Sequence, residues 1–246
     1  MDLLDLYDAE MRADPALPPG LSLTRIGGLV RLTGAYNLIS YASLPDEEAD
    51  AYVTREVRHF RDLGEAVEWK VHGHDRPADL AARLARAGFV PDPMETLMVF
   101  DLAEIGGLGG KGAEIRQVDA ERLDAFLEAT EAAFGHPFAG SADDLRAGLE
   151  HGTVSLHVAY VDGRPVGAGR LETPPGRAFA GLYSGGVSEA SRHKGVYRAL
   201  VRARAERAAA AGYRYLIAEA LETSRPILER LGFRPLTTVQ GWLFEP

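Results

Sequence analysis

The apolar residues in the second half of the chain follow a regular order of strand and helix periods. Alternating apolar stretches predict strands, and apolar residues spaced three and four positions apart predict helices. Asp162-Gly163 separates two strand-like stretches and predicts a hairpin turn. The predicted elements, in order, are a strand at 113–118, helices at 119–134 and 141–152, strands at 153–160, 164–172 and 177–187, a helix at 196–211 and a strand at 213–220.

The first half repeats part of this order. A strand-like stretch at 36–41 precedes an amphipathic helix at 45–63 that carries Tyr52, Val53 and Phe60 on one face. A strand, Arg-Pro, a helix and Gly-Phe then follow each other in both halves, which indicates an internal duplication. Two unrelated α/β units with similar helix ends are the alternative. The shared dipeptides are Arg76-Pro77 and Gly88-Phe89 in the first half, and Arg225-Pro226 and Gly232-Phe233 in the second.

A glycine-rich stretch separates the two halves. Residues 105–112 contain five glycines and predict a linker between a domain at 1–104 and a domain at 113–246. The stretch is not a nucleotide-binding P-loop, because Ile105 and Gly112 occupy positions where that motif needs Gly and Ser or Thr.

The composition narrows the class of protein. The 246 residues include 27 Lys and Arg against 36 Asp and Glu, and this acidic balance disfavours general binding to nucleic acids or anionic membranes. The absence of cysteine excludes disulfides and thiolate chemistry. No segment approaches the roughly 20 apolar residues of a membrane span, and the start has no secretory signal. A cytoplasmic protein with a small soluble partner is expected.

The turn before the helix at 196–211 predicts a phosphate site. Arg192, Lys194 and Arg198 surround Gly195, which lets the backbone approach a ligand closely. The first N–H groups of a helix have no partner within it, and the helix dipole adds partial positive charge there. The glycine-interrupted strand that precedes the turn predicts a bulge or a close backbone approach. A polyphosphate is the expected ligand.

Arg192-x-x-Gly195-x-Tyr197 resembles the Arg/Gln-x-x-Gly-x-Gly/Ala loop of the GCN5-related N-acetyltransferase (GNAT) superfamily. The ending Leu231-Gly232-Phe233 is also similar to the last helix and strand of that family. The resemblance implies an α/β fold of two tandem acetyl-CoA N-acyltransferase-like (GNAT) mixed-sheet domains, the N-terminal one partial and degenerate. Tyr197 departs from the motif, and its side chain is expected to point outward.

The resemblance implies acetyl-coenzyme A as cosubstrate and the amine of a small molecule or peptide as acceptor. In the family, the pantetheine arm lies in a gap between two strands, and amides of the loop hold the pyrophosphate. The carried-over residues are Leu182, Ser184, Gly185 and Val187 for pantetheine, Arg192, His193, Lys194, Gly195, Val196, Tyr197 and Arg198 for pyrophosphate, and Ser224 near the start of the last helix.

The resemblance indicates the coenzyme-binding residues more clearly than the catalytic residues. Many relatives have a Tyr in the last helix that protonates the thiolate, but the matching residue is Leu228. Glu219 and Tyr183, with Glu172 as a third candidate, are predicted to relay the proton of the amine, although each also fits a structural role. Two alternatives stay open: a coenzyme A-binding or effector-sensing module without turnover, and a nucleotide-binding protein that uses the same loop.

The first half has no matching loop. Its helix starts with Asp46-Glu47-Glu48, where carboxylates would repel a pyrophosphate, so it is interpreted as a structural partner without a coenzyme site. His136 and His151, at helix ends, are interpreted as solvated residues. The stretch His72-Gly73-His74-Asp75 has some metal-ligand character, but no further ligands accompany it and no metal is expected.

Overall fold

The computed structural model describes residues 2–18, 20–110 and 112–246, so Lys111 of the predicted linker lies outside the described residues. The chain divides into two compact units that interleave in sequence. The first comprises Met1–Leu97, Ala220–Arg225 and Pro235–Pro246, and the second comprises Met98–Glu219 and Pro226–Arg234. The contiguous domains expected at 1–104 and 113–246 stay a prediction.

The first unit contains a mixed sheet in the order β1-β2-β3-β4-β12, with β5 paired to β12. Neighbouring strands are antiparallel except β3 and β4, which are parallel and joined by α2. Its elements are α1 (Leu3–Tyr7), a π-helical turn (Asp8–Ala13), β1 (Leu21–Ile26), β2 (Leu29–Gly34), β3 (Leu38–Ala42), α2 (Ala49–Leu63), β4 (Val67–His72), α3 (Leu80–Arg86), β5 (Val90–Pro91) and β12 (Arg234–Phe244).

The predicted amphipathic helix is α2, and its apolar face fills the core of the first unit. Val53, Val57 and Phe60 are buried against strands β3 and β4, where Trp69 is fully buried. Gly64 ends the helix at a φ of 68°, a backbone conformation that glycine adopts without steric cost. The apolar periodicity therefore predicted this helix and the face that it buries.

The second unit contains a mixed sheet in the order β6-β11-β10-β9-β8-β7. Strands β7 to β10 are antiparallel in succession, and β10 and β11 are parallel and joined by α6. Its elements are β6 (Glu95–Asp101), β7 (Glu114–Val118), α4 (Leu123–Phe134), α5 (Ala142–Glu150), β8 (Val154–Val161), β9 (Arg164–Glu172), β10 (Phe179–Val187), α6 (Val196–Ala210), β11 (Tyr215–Leu221) and α7 (Arg225–Glu229).

Alternate residues of β8 contact different helices. Leu156 and Val158 are buried with Phe126 of α4, whereas Ala159 is buried with Leu200 of α6. The predicted hairpin is confirmed, since Asp162 and Gly163 adopt φ values of 51° and 76° between β8 and β9. No helix among the residues that the structure describes is long and apolar enough to cross a membrane.

The two units share one pattern of strands. In each, three antiparallel strands lead to a helix and then to a strand parallel with the third, as β1-β2-β3-α2-β4 and as β8-β9-β10-α6-β11. The repeated order of elements that the sequence predicted is therefore present in the topology. The hairpin of β1 and β2 was not predicted, although Gly27-Gly28 between them is a hairpin signal.

A buried arginine fills the space where the parallel strands of the first unit separate. Direct pairing of β3 with β4 covers only Leu38 with Glu68 and Ile39 with Trp69. Beyond these pairs, the Nε of Arg12 donates to the carbonyl oxygen of Ser40 at 3.1 Å, and the Ser40 hydroxyl donates to the Arg12 carbonyl at 2.9 Å. The N-terminal helical segment thus supplies the hydrogen bonds that a continuous strand pair would make.

Two carboxylates neutralise this arginine. The Nη2 of Arg12 donates to both oxygens of Asp75, at 2.7 and 2.8 Å, and its Nη1 donates to Asp8 at 2.7 Å. Burial lowers the pKa of Arg12, but the two carboxylates raise it by more, so the guanidinium stays charged. Since Arg12 is 2% exposed and Asp75 is 7% exposed, the pair is shielded from solvent.

Replacing Arg12 by methionine should destabilise the first unit by about 3–5 kcal/mol, because Asp75 would be left buried without its counter-ion. Both tryptophans of the chain, Trp69 and Trp242, are buried in the first unit, so their fluorescence during urea unfolding reports on it. Arg25→Ala is the control, because Arg25 pairs with Asp14 at an exposed site and should cost less than about 1 kcal/mol. Equal effects of the two substitutions would contradict the role assigned to Arg12.

Candidate functional site

Strands β10 and β11 of the second unit separate along their length. They pair only at Phe179 with Tyr215, Ala180 with Leu216 and Gly181 with Ile217. Strand β10 continues to Val187 and β11 to Leu221, so each strand extends well beyond the last pair. The backbone groups of β10 on this side need a partner other than β11.

A bulge interrupts β10 just beyond the point of separation. On its other side β10 pairs with β9, and the register shifts between Tyr183, opposite Arg170, and Gly186, opposite Ala168. Ser184 lies inside the bulge with a φ of 48°. The glycine-interrupted sequence predicted a bulge in this strand, and the prediction is confirmed.

The loop from β10 to α6 ends in two residues with left-handed backbone. His193 has a φ of 61°, and Gly195, which precedes the first residue of α6, has a φ of 81°. Gly195 adopts this conformation without the steric penalty of a side chain. Successive N–H groups in such a turn point to one side and form a concave site for anions.

The backbone N–H groups at the start of α6 are available to a ligand. Within the part of the chain that the structure describes, the N–H groups of residues 193–198 donate no hydrogen bond, and the first α6 amide with a partner in the loop is that of Ala199, which donates to Gly195. Six adjacent donors at a helix N-terminus are a suitable site for a phosphate group.

The charge around the loop also favours an anion. Arg192, His193, Lys194 and Arg198 are all exposed, and the first turn of α6 contains no acidic residue. The Nε of Arg192 donates to the carbonyl oxygen of Val187 at 3.3 Å, which holds the guanidinium stem at the end of β10. The positive end of the helix dipole adds to this field.

Tyr197 does not point outward, so that expectation was wrong. Its ring lies 3.4 Å from the position that a Cβ on Gly185 would occupy, and it packs with the apolar cluster of Val187 and Leu200. Burial raises the pKa of Tyr197, and the nearby Arg204 lowers it by less. The side chain packs toward β10 because Gly185 has no side chain to occupy that space. It therefore does not cover the backbone N–H groups of the loop.

Residues 123–233 match the family described as Acetyltransferase (GNAT) family. The matched residues, within the second half of the chain, form a GNAT domain. The match covers both motifs that carried the resemblance in the sequence, Arg192-x-x-Gly195-x-Tyr197 and Leu231-Gly232-Phe233. No curated protein matches the chain.

Solved structures share the fold over the whole chain. A GCN5-related N-acetyltransferase from Kribbella flavida has a TM-score of 0.70 at 15% identity, covering 92% of this chain and 90% of its own. A functionally unknown conserved protein from Staphylococcus epidermidis reaches 0.69 at 16% identity, with 99% of both chains covered. A tandem GNAT protein from the clavulanic acid biosynthesis pathway reaches 0.60 at 17% identity, covering 98% and 93%. The chain therefore has a tandem GNAT fold.

Tyr183 and Glu219 occupy corresponding positions on β10 and β11, the two strands that border the gap. Each lies two residues beyond the last pair of β10 and β11, Gly181 with Ile217, and both side chains are half-buried. Glu172, the third candidate, is the last residue of β9 and lies opposite Gly181 of β10. It forms an ion pair with Arg170 at 3.1 Å. The guanidinium of Arg170 lies 5.1 Å from the centre of the Tyr183 ring.

The last helix of the GNAT domain offers no proton donor at the matching position. Leu228 lies in α7 and is 2% exposed, so it is a core residue. Ser224 donates its hydroxyl to the carbonyl oxygen of Leu221 at 3.1 Å and belongs to the first unit. The role of Ser224 toward the coenzyme stays a prediction.

The histidines that the sequence singled out have local partners. The Nδ1 of His136 lies 2.8 Å from the carbonyl oxygen of Pro137, and that of His151 lies 2.7 Å from the carbonyl oxygen of Ala147. The backbone N–H of His72 donates to Asp75, which Arg12 already binds. The described residues contain no group of His, Asp or Glu that could hold a metal ion.

The glycine-rich stretch after β6 contacts helix α6, which sequence reasoning missed. The Nη1 of Arg202 donates to the carbonyl oxygen of Leu108 at 2.7 Å, and Leu108 is buried. A Cβ on Gly110 would lie 2.8 Å from Arg202, and one on Gly112 would lie 2.6 Å from the carbonyl oxygen of Lys194. Glycine at positions 110 and 112 thus permits close packing beside the loop that precedes α6.

Proposed function

We propose that the GNAT domain binds acetyl-coenzyme A and transfers its acetyl group to the amine of a small molecule or a peptide. The observation that carries the proposal is the run of free N–H groups at residues 193–198, beside exposed cations and next to the gap between β10 and β11. Such a loop fits the pyrophosphate, and a gap where β10 no longer pairs with β11 fits the amide groups of the pantetheine arm.

The reaction needs a positioned amine and two proton transfers. The amine nitrogen attacks the thioester carbonyl carbon, a C–N bond forms, and the C–S bond breaks to release the coenzyme thiolate. A thioester is already activated, so holding the two reactants together supplies much of the acceleration. The amine must lose a proton and the thiolate must gain one.

Glu219 and Tyr183 are the groups proposed to accept the proton of the amine, directly or through water. They occupy equivalent positions on the two strands that border the gap, where the acetyl group would lie beyond the pantetheine arm. Leucine cannot donate a proton, so Leu228 leaves the thiolate to be protonated by solvent or by another residue.

A coenzyme A-binding module without turnover is the second candidate, and the buried Leu228 is the observation that favours it. A screen of amine acceptors that monitors the release of free thiol from acetyl-coenzyme A distinguishes the two functions. Calorimetric titration with acetyl-coenzyme A, coenzyme A and ATP tests the binding itself. Tight binding of ATP without binding of coenzyme A would overturn both candidates.

The first unit is proposed to bind no coenzyme. Its own Arg12 occupies the space where β3 and β4 separate, and it donates to the carbonyl oxygen of the buried Ser40. At the start of α2, Asp46 and Asp50 form ion pairs with Arg83 of α3. Neither the gap nor the helix start is therefore available to a pyrophosphate-bearing ligand.

Gly195→Glu should abolish binding of coenzyme A, because it places a carboxylate and a strained left-handed backbone at the phosphate site. Arg192→Ala should weaken binding by about 1–3 kcal/mol, the scale of a charge-assisted hydrogen bond. Calorimetry measures both. Arg146→Ala removes an exposed arginine of α5 and serves as the charge control. Unchanged affinity in Gly195→Glu would rule out this loop as the site.

Calorimetric titration of the whole chain should give one coenzyme A site per chain, because only the second unit has an open loop and gap. In the Gly195→Glu variant, binding should vanish altogether. A stoichiometry near two, or residual tight binding in that variant, would show that the first unit also binds the coenzyme.

Glu219→Gln and Tyr183→Phe should each lower the rate of acetyl transfer by about 10²–10⁴-fold if the residue relays the proton, with coenzyme affinity nearly unchanged. Rates are measured across the pH range after circular dichroism has shown normal folding. Wild-type rates in both variants at every pH would remove these residues from the mechanism.

A further inference from the structure

Arg204 of helix α6 is buried beneath the bulged strand without an acidic partner. Its side chain is 1% exposed, and none of the described carboxylates forms an ion pair with it. Burial lowers the pKa of His157 to about 3, so this neighbour is a neutral ring near neutral pH. A buried cation is costly unless polar groups around it replace water.

Backbone carbonyl groups replace that water. The Nε of Arg204 donates to Leu200 at 3.1 Å, and its Nη1 donates to the carbonyl oxygens of Arg170 at 3.2 Å and Tyr183 at 3.4 Å. Arg170 and Tyr183 are the last pair of β9 and β10 before the bulge. The guanidinium therefore bonds to both strands at the point where their ladder is interrupted.

Two glycines make room for this side chain. A Cβ on Gly169 would lie 2.6 Å from the Cζ of Arg204, and a Cβ on Gly185 would lie 3.2 Å from its Nη2. Ser184 and Gly185 are the two bulge residues that face the single residue Gly169 across the ladder. The bulge and the buried guanidinium thus fit each other.

The part of β10 that Arg204 contacts pairs with β9 but no longer pairs with β11. Beyond Gly181, β10 makes no further pairs with β11, and the bulge sets the direction of its backbone groups. The Nη2 of Arg204 has no hydrogen-bond partner in the described structure, so Nε and Nη1 make the hydrogen bonds of the guanidinium.

We propose that Arg204 is a positioning residue for the coenzyme: its guanidinium fixes the bulge of β10 in the conformation that binds the pantetheine arm. The inference rests on the proposed function. It assigns Arg204 no contact with the substrate, because the side chain lies between the sheet and α6, and it acts through the backbone of residues 183–186.

Separate titrations with two ligands test this role. Coenzyme A contains the pantetheine arm, whereas adenosine 3′-phosphate 5′-diphosphate contains the pyrophosphate without it. In Arg204→Met, the affinity for coenzyme A should fall about tenfold or more, the scale of one or two hydrogen bonds, and the affinity for the shorter ligand should change less than about twofold. Arg204→Lys should restore part of the loss.

Arg207→Met is the matched control, because Arg207 is an exposed arginine one turn further along α6. Gly169→Ala is a second variant that keeps the arginine and presses a methyl group against its guanidinium from β9, and it should produce the same split between the ligands. It supplies the test if Arg204→Met does not fold.

Loss of affinity for both ligands to the same extent, or for neither, would overturn the positioning role while leaving the proposed function intact. Failure of the wild-type protein to bind coenzyme A would instead overturn the proposed function, and this inference with it.

Discussion

Two parallel strands that separate midway leave backbone N–H and C=O groups without ladder partners, and each unit of this protein meets that constraint differently. In the first unit, β3 and β4 pair over two residues, and Arg12 bonds to the free backbone at Ser40. In the second, β10 and β11 pair over three residues, and the edge beyond them stays open. Buried backbone groups need partners, so an open edge of this kind is suited to a ligand that brings amide groups of its own.

The two units share a topology but differ in the charges at the start of the helix that joins their parallel strands. Helix α6 begins with glycine and exposed cations, and its first amides are free. Helix α2 begins with carboxylates that pair with Arg83. The buried arginines differ as well, since Arg12 has Asp75 as a counter-ion and Arg204 has only carbonyl dipoles.

Local signals in the sequence were sufficient for much of the fold and of the loop. The hairpin turn at Asp162-Gly163, the amphipathic face of α2, the bulge in β10 and the glycine before α6 each depend on neighbouring residues. The pairing of the last strand, β12, with β4 and the burial of Arg12 and Arg204 were not predicted, because strand pairing and the burial of a charge depend on residues far apart in the chain. For Arg204 a signal existed, since it continues the buried stripe of Leu200 and Ala208 at helical spacing.

The first unit cannot complete its sheet without β12, which lies at the other end of the sequence. The residues of β12, which pair with β4 and β5, come after the whole of the segment Met98–Glu219. During synthesis the ribosome makes the residues of the second unit before it makes β12, the strand that pairs with β4. The second unit can therefore complete its sheet first. The GNAT domain is in effect an insertion within the first unit, and the unit that begins the chain is the later of the two to be completed.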